Sequence, residues 1–222
     1  MRNEELQMKY DAVIFDLDGT LLDTLGDLHL SVKYALENNG FPARTVDEVR
    51  AFVGNGIFKL IKRAVPEGTD ASDTERVFAD FKEHYAVHSR DNTAPYPGIS
   101  ELIERLKSDG VRLGVVSNKA HFAVKEIMDF YFGGIFDVVF GEREGIPRKP
   151  APDAVLEAAE MLGGKKILYV GDSEVDVETA INAGLDHVMV TWGFRSEDAL
   201  RSAGESRFVS SADELYGVIT ED

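Results

Sequence analysis

The sequence predicts an α/β fold in which a mainly parallel sheet is layered between helices, with a separate all-helical block inserted near the N-terminus. Three observations carry this expectation. Short β-rich apolar runs recur at Asp11–Phe15, Val111–Ser117, Phe136–Phe140, Ile167–Val170 and His187–Thr191. They are almost uninterrupted in hydrophobicity, as strands buried on both faces of a parallel sheet must be. Amphipathic helical segments lie between most of them, and alternating strand and helix builds a layered α/β domain.

In chain order, Asp11–Phe15 is the first strand, and the alternation then lapses. From Asp23 to Asn92 only helical periodicity is present: Leu28, Val32, Ala35 and Leu36 form one stripe. Phe52, Ile57, Leu60 and Ile61 lie in the next apolar stretch, and Val77, Phe78, Phe81 and Tyr85 make a third. Thr93-Ala94-Pro95-Tyr96-Pro97-Gly98 closes the block as a stiff, hinge-like connector. Ile99, Leu102, Ile103 and Leu106 then follow the helical period up to Gly110, and Val155, Leu156, Ala159 and Leu162 do so before Gly163. The expected division is residues 1–22 and 93–222 as the core and 23–92 as the helical block. There are no internal repeats and no low-complexity tract.

Composition narrows the function. The chain has 24 basic and 40 acidic residues, a formal charge of −16. Such a field repels nucleic-acid phosphates and acidic membrane surfaces. A small anionic substrate is accommodated only where lysines or a metal ion reverse the local sign. The absence of cysteine removes thiolate nucleophiles, disulfides and Cys-based zinc sites. Met1 to Tyr10 hold no apolar run of signal-peptide length, and no stretch approaches the roughly 20 apolar residues that span a bilayer. A soluble cytoplasmic protein is expected.

In doubly wound sheets ligands bind outside the carboxyl ends of the strands. Asp16-Leu17-Asp18-Gly19-Thr20 follows the first strand, Ser117-Asn118-Lys119 the second, and Gly171-Asp172-Ser173 the fourth, with Asp176 four residues beyond Asp172. Asp16 and Asp18, two apart, can point the same way. Close carboxylates disfavour each other's ionisation unless a cation sits between them, and Asp172 can complete an oxygen site suited to magnesium. Gly19 allows the backbone to pass close to a ligand and offer N–H groups to phosphate oxygens, with Leu17 and Thr20 beside it. Ser117 and Asn118 add neutral donors. Lys149, bracketed in Arg148-Lys149-Pro150-Ala151-Pro152, is a pinned ammonium suited to a transferring phosphoryl group. Each feature alone has an ordinary reading as a turn, a helix cap or surface; their order at successive strand ends is what points to a site. His84, His88 and His121, in helical stretches, receive no role, and Trp192 is expected to pack.

As an ordered set these motifs resemble the haloacid dehalogenase-like superfamily. Phe15-Asp16-Leu17-Asp18-Gly19-Thr20-Leu21-Leu22-Asp23-Thr24 looks like its nucleophile motif, Val116-Ser117-Asn118-Lys119 its second, Lys149-Pro150-Ala151-Pro152-Asp153 its lysine motif, and Gly171-Asp172-Ser173-Glu174-Val175-Asp176 its acidic fourth. The resemblance runs from about residue 9 to 216. It implies a Rossmann-like three-layer core with a helical cap inserted after the first strand, the cap closing on hinges at Asp23–Thr24 and Thr93–Gly98. It also implies roles. Asp16 is the nucleophile that becomes a phospho-aspartate. Asp18 protonates the leaving group and later takes a proton from water. Thr20 supports Asp18, Ser117 binds the phosphoryl oxygens with Asn118 beside it, and Lys149 steadies the nucleophile. Magnesium sits on Asp16, the Asp18 backbone carbonyl and Asp172, with Asp176 orienting Lys149 or a metal-bound water from behind.

Because Asp18 is present, the resemblance implies phosphate-ester hydrolysis rather than dehalogenation. Phe52-Val53-Gly54-Asn55-Gly56 and Thr191-Trp192-Gly193-Phe194 are similar to stretches of phosphoglycolate phosphatases, so a small phosphorylated metabolite is the expected partner and phosphoglycolate the leading candidate. Asn55 and Gly56, opening a helix, with Lys59 and Arg63 four apart along it, are the substrate candidates in the cap. The alternatives are a β-phosphoglucomutase-like mutase, a pyrophosphatase or nucleotidase of the same fold, and, in another class, a non-enzymatic phospho-accepting receiver or a catalytically inert binding protein. A receiver lacks both a counterpart of Asp18 and a cap, and is much shorter.

Overall fold

Six parallel strands in the order β5-β4-β1-β6-β7-β8 frame the larger of two compact units, which takes the chain up to Leu21 and again from Pro95. The strands of the chain are β1 (Ala12–Phe15), β2 (Leu22–Asp23), β3 (Ala94–Pro95), β4 (Arg112–Ala120), β5 (Val138–Glu142), β6 (Ile167–Gly171), β7 (Asp186–Val190) and β8 (Phe208–Val209). The computed structural model describes residues 8–221. Most of the Met1–Tyr10 stretch considered above therefore lies outside the described residues. Among the described residues no helix is long and apolar enough to cross a membrane.

The register places β1 between β4 and β6, with Phe15 opposite Val115 on one side and Val170 on the other. Asp16, the residue after Phe15, thus emerges between the ends of its two neighbours, where the strand order reverses direction. Every residue of β1 is buried, whichever face it points to. Ala12 and Ile14 pack with Val155, Ala158 and Leu162 of α7 (Asp153–Leu162) and with Val177 and Ala180 of α8 (Glu174–Ala183). Val13 and Phe15, pointing the other way, are equally inaccessible, and Phe15 meets Phe136 edge-on at 6.2 Å. Burial on both faces is the reason the strands read as continuous apolar runs.

Two details differ from the sequence reading. Along α7 the buried stripe is Ala154, Val155, Ala158 and Leu162, whereas Leu156 is 46% exposed. Small alanines, rather than the larger Leu156, face the sheet because α7 packs closely on β4, where Gly114 leaves room for Leu162. Strand β4 also continues to Ala120 instead of ending at Ser117. Its pairing with β5 shifts between Val116 and Ala120, so Ser117-Asn118-Lys119 lies inside an irregular strand end rather than beyond it.

The second unit, Leu22–Ala94, is built on four helices: α1 (Leu25–Asn38), α2 (Val46–Phe52), α3 (Ile57–Ala64) and α4 (Ala71–His88). Leu28, Val32, Ala35 and Leu36 of α1 are buried, as are Val77, Phe81 and Tyr85 of α4. Helix α2 starts on a reciprocal cap in which the Glu48 N–H donates to Thr45 Oγ1 (3.2 Å) and the Thr45 N–H to Glu48 Oε2 (2.8 Å). Buried Asp27 ties α1 to the end of the unit: it accepts the N–H groups of Asn92 and Thr93, the Asn92 amide and the Thr93 hydroxyl, all within 2.8–3.1 Å. Asp27→Ala is expected to cost about 2–3 kcal/mol, because the donors of Asn92 and Thr93 lose a buried carboxylate acceptor. The measurement is the urea midpoint at unchanged m-value; an unchanged midpoint would show the carboxylate to be dispensable.

Candidate active site

Asp16 stands at the carboxyl end of β1, its side chain 13% exposed, and takes the Lys149 ammonium at 2.8 Å. Lys149 donates again to Asp176 Oδ1 at 2.8 Å and to the Tyr169 hydroxyl at 3.0 Å, so all three of its N–H bonds are used. The turn that carries it is clamped: Asn118 Oδ1 accepts the Lys149 N–H at 2.9 Å, and Asn118 Nδ2 donates to the Lys149 carbonyl at 3.0 Å. The side chain of Asn118, expected among the phosphate contacts, is engaged at both ends by the Lys149 backbone, because the bulged end of β4 turns its amide toward that turn.

Asp176 occupies the third position of α8 and reaches back to the start of that helix. Its Oδ2 accepts the Ser173 hydroxyl (2.6 Å) and the Ser173 N–H (3.1 Å), while Oδ1 also accepts the Tyr169 hydroxyl (2.8 Å). Burial pushes the Asp176 carboxyl up, but the Lys149 charge and these hydrogen bonds outweigh it and hold the group below the ordinary aspartate range. The same two carboxylates raise Lys149 well above a free lysine, against the effect of burial.

Asp172, buried beyond β6, is fastened at both oxygens. Thr20 Oγ1 donates to Oδ1 at 3.2 Å and the Phe194 N–H to Oδ2 at 2.7 Å. Thr20 was expected to support Asp18; it holds Asp172 instead, because Gly19 (φ +89°) turns the chain back toward β6. A Cβ on Gly19 would run into the Asp172 carboxylate, and one on Gly193 would strike both Asp172 and the Gly19 carbonyl. This close approach brings Trp192 alongside, where its indole N–H donates to the Thr20 carbonyl at 3.1 Å. Leu17 is fully buried, so only its backbone can meet a ligand; its carbonyl accepts the N–H of Leu21 at 3.0 Å. Ser117 is buried, its Oγ accepting the Lys119 N–H at 3.2 Å.

Asp18 is held by a residue the sequence reading quoted but did not use: Lys119 Nζ donates to Asp18 Oδ1 at 2.9 Å, and the lysine side chain is 6% exposed. Tyr169 was likewise missed, since a strand tyrosine reads as core. The only available signal for Lys119 was its place two residues after Ser117 in the same motif.

Oxygens of Asp16, Asp172 and Asp176 all lie within 4.8 Å of one another. Burial, with the neighbouring charges of Asp176 and Asp18, pushes Asp16 up to about 7 despite Lys149. Burial and the charges of Asp176 and Asp16 hold Asp172 well above the ordinary range. Four carboxylates face two ammonium groups, with the Arg195 guanidinium, itself paired to Glu174, acting on Asp172 from beside them, so the fully ionised cluster is short of positive charge. A hard, oxygen-seeking dication fits that deficit and that donor set. Asp176, whose oxygens already accept five hydrogen bonds, is the worst placed of the three to ligate. Asp16 and Asp172 are the better pair.

In the helical unit, Gly56 (φ +84°) opens α3 as expected. Arg63, however, turns back on its own unit, donating to the Phe52 carbonyl and to Asn55 Oδ1, both at 2.7 Å. Arg63 and Asn55 therefore shape the loop before α3, whereas Lys59 is exposed on that helix. The spacing of four was read as one presenting face; the long guanidinium arm folds back because the loop carbonyls offer it partners.

Comparison with known proteins agrees with this architecture. Residues 13–190 match the model of the haloacid dehalogenase-like hydrolases. A phosphoglycolate phosphatase of Cereibacter sphaeroides is 37% identical over 189 residues, covering 83% of this chain and 86% of that protein. One from Aquifex aeolicus is 34% identical over 186 residues, covering 82% and 85%. A crystal structure from Lactobacillus delbrueckii subsp. bulgaricus, provisionally named a phosphoglycolate phosphatase, superposes with a TM-score of 0.91 at 38% identity, covering 97% of this chain and 100% of that one. With its strand-end carboxylates in one cluster and most of its length matched, the chain belongs to the haloacid dehalogenase-like hydrolase family.

Proposed function

We propose that this protein is a magnesium-dependent phosphatase that cleaves a small phosphate monoester through a phospho-Asp16 intermediate, with phosphoglycolate as the leading substrate candidate. The observation that carries the reading is an Asp16 paired with Lys149 at 2.8 Å and with an oxygen within 4.8 Å of one of Asp172, beside an Asp18 with its own ammonium. Asp16 attacks phosphorus as the carboxylate, and Lys149 holds it in line while countering the charge on the transferring group. The leaving oxygen takes a proton from Asp18; in the second half, water attacks phosphorus, gives its proton to Asp18, and releases Asp16. Ser117 and the backbone N–H groups around Leu17–Thr20 hold the phosphoryl oxygens. Magnesium, held by Asp16, the Asp18 carbonyl and Asp172, supplies charge neutralisation for the phosphate. Asp176 keeps Lys149 aimed. Leu22–Ala94 is the cap that selects the substrate, with Lys59 and the Gly56 end of α3 as its candidate contacts.

The test is phosphate release from phosphoglycolate, pyrophosphate, a nucleoside monophosphate, glucose 1-phosphate and an aryl phosphate, with magnesium or with chelator. Magnesium-dependent release with a preference of at least tenfold for phosphoglycolate is expected. Release from none of them would overturn the phosphatase reading, and equal release from all would overturn the substrate assignment.

A further inference from the structure

Lys119 is a buried ammonium that the mechanism above leaves unused. Burying a lysine is costly unless its charge is matched, and in this site it is matched by the catalytic acid–base candidate itself. Its placement is built in from three sides. The Lys119 N–H donates to Ser117 Oγ at 3.2 Å, and Nζ meets Asp18 Oδ1 at 2.9 Å. On β5, Gly141 lets the Lys119 backbone approach so closely that an added Cβ would lie 2.5 Å from the Lys119 carbonyl. The Gly141 N–H then donates to His121 Nδ1 at 3.1 Å, fixing the chain two residues on. The irregular pairing between Val116 and Ala120 therefore appears at the point where the strand carries this side chain to Asp18.

We propose that Lys119 is a positioning residue that fixes the Asp18 carboxyl where the leaving oxygen departs, so that it acts on the reaction only through Asp18. This rests on the phosphatase reading above. In the step concerned, an Asp16 oxygen bonds to phosphorus as the bond from phosphorus to the leaving oxygen breaks, and the proton of the Asp18 carboxyl passes to that oxygen. A good leaving group departs without that proton; an alkoxide does not. The consequence is selective. Loss of Lys119 slows phosphoryl transfer from alkyl phosphates and spares transfer from aryl phosphates whose leaving group is a weak base.

The experiment is rapid-quench measurement of phosphoenzyme formation with magnesium present, comparing wild type, Lys119→Met, Asp18→Asn and the double variant on p-nitrophenyl phosphate and phosphoglycolate. Lys119→Met is expected to lower the rate about 100-fold with phosphoglycolate and less than about 3-fold with the aryl ester. In the Asp18→Asn background the same substitution is expected to change neither rate by more than about 2-fold, because effects routed through one residue do not add. Equal losses on both esters, or full additivity with Asp18→Asn, would overturn the proposal and make Lys119 a contact of the phosphate itself or a purely structural ion pair. Absence of any phosphoenzyme in wild type would instead overturn the aspartyl mechanism on which the proposal stands.

Discussion

Asp16→Asn is expected to lower turnover by about four orders of magnitude or more while leaving the metal-free protein at least as stable as wild type. The first effect follows from removing the proposed nucleophile; nucleophile losses in comparable sites are of this size. The second follows from the electrostatics of the cluster. Asp16 has its carboxyl pushed from an ordinary value of 3.8 up to about 7, chiefly by burial. A carboxyl raised on folding favours the folded state while protonated, below its unfolded value, and that contribution is lost as pH rises through the folded value. Above pH 7 the native metal-free protein carries the full cost of an ionised Asp16, and an asparagine, uncharged and nearly isosteric, does not. In chelator, the variant's stability advantage should be absent near pH 4 and complete above about pH 7. Paired urea denaturation series across that range, alongside steady-state rates, measure both effects. A variant less stable than wild type at pH 8 would mean that the Lys149 pairing outweighs the burial cost.

Much of this site was legible because its carboxylates sit at strand ends, and a strand end can be read from apolar runs. Asp16 after β1 and Asp172 after β6 needed only the rule that parallel strands deliver residues to one edge. The ties between side chains were not legible. Thr20 could reach Asp18 or Asp172 on spacing alone, and only the turn at Gly19 decides between them. The Lys119–Asp18 pair joins residues 101 apart and depends on a bulge that no local pattern signals. Asn118 and Lys119 read as lying beyond the second strand because its apolar run ends before them, although the backbone runs on to Ala120. In α7 the period was read correctly and the face was not: Leu156 is the more hydrophobic choice, but close packing on the sheet selects the alanines. Strand β8, two residues long, is too short to show any period.

Lys149→Met tests the other half of the cluster, where stability and chemistry rest on one charge. The substitution keeps the aliphatic stem but removes an ammonium shared by Asp16, Asp176 and Tyr169, with its side chain 3% exposed. Asp176 is wholly buried and is held ionised largely by that charge. Breaking a buried pair by deleting one partner costs about 3–5 kcal/mol, because the remaining charge must be carried bare or protonated. For a chain of this length that corresponds to a fall in Tm of about 10 °C. Three consequences separate this account from loss of packing alone. The deficit should shrink as pH falls and Asp176 and Asp16 take up protons, since their repulsion then disappears. Magnesium should raise the Tm of the variant as well as that of wild type, since Asp16 and Asp172 remain. Catalysis should nevertheless stay at least 1,000-fold below wild type at saturating magnesium, because a dication beside Asp16 cannot occupy the direction from which Lys149 aligns it. Calorimetry at pH 5 and pH 8, with and without magnesium, reads all but the last, which the phosphate-release assay supplies. A Tm deficit that is the same at both pH values would assign the loss to packing around Tyr169 rather than to the charge.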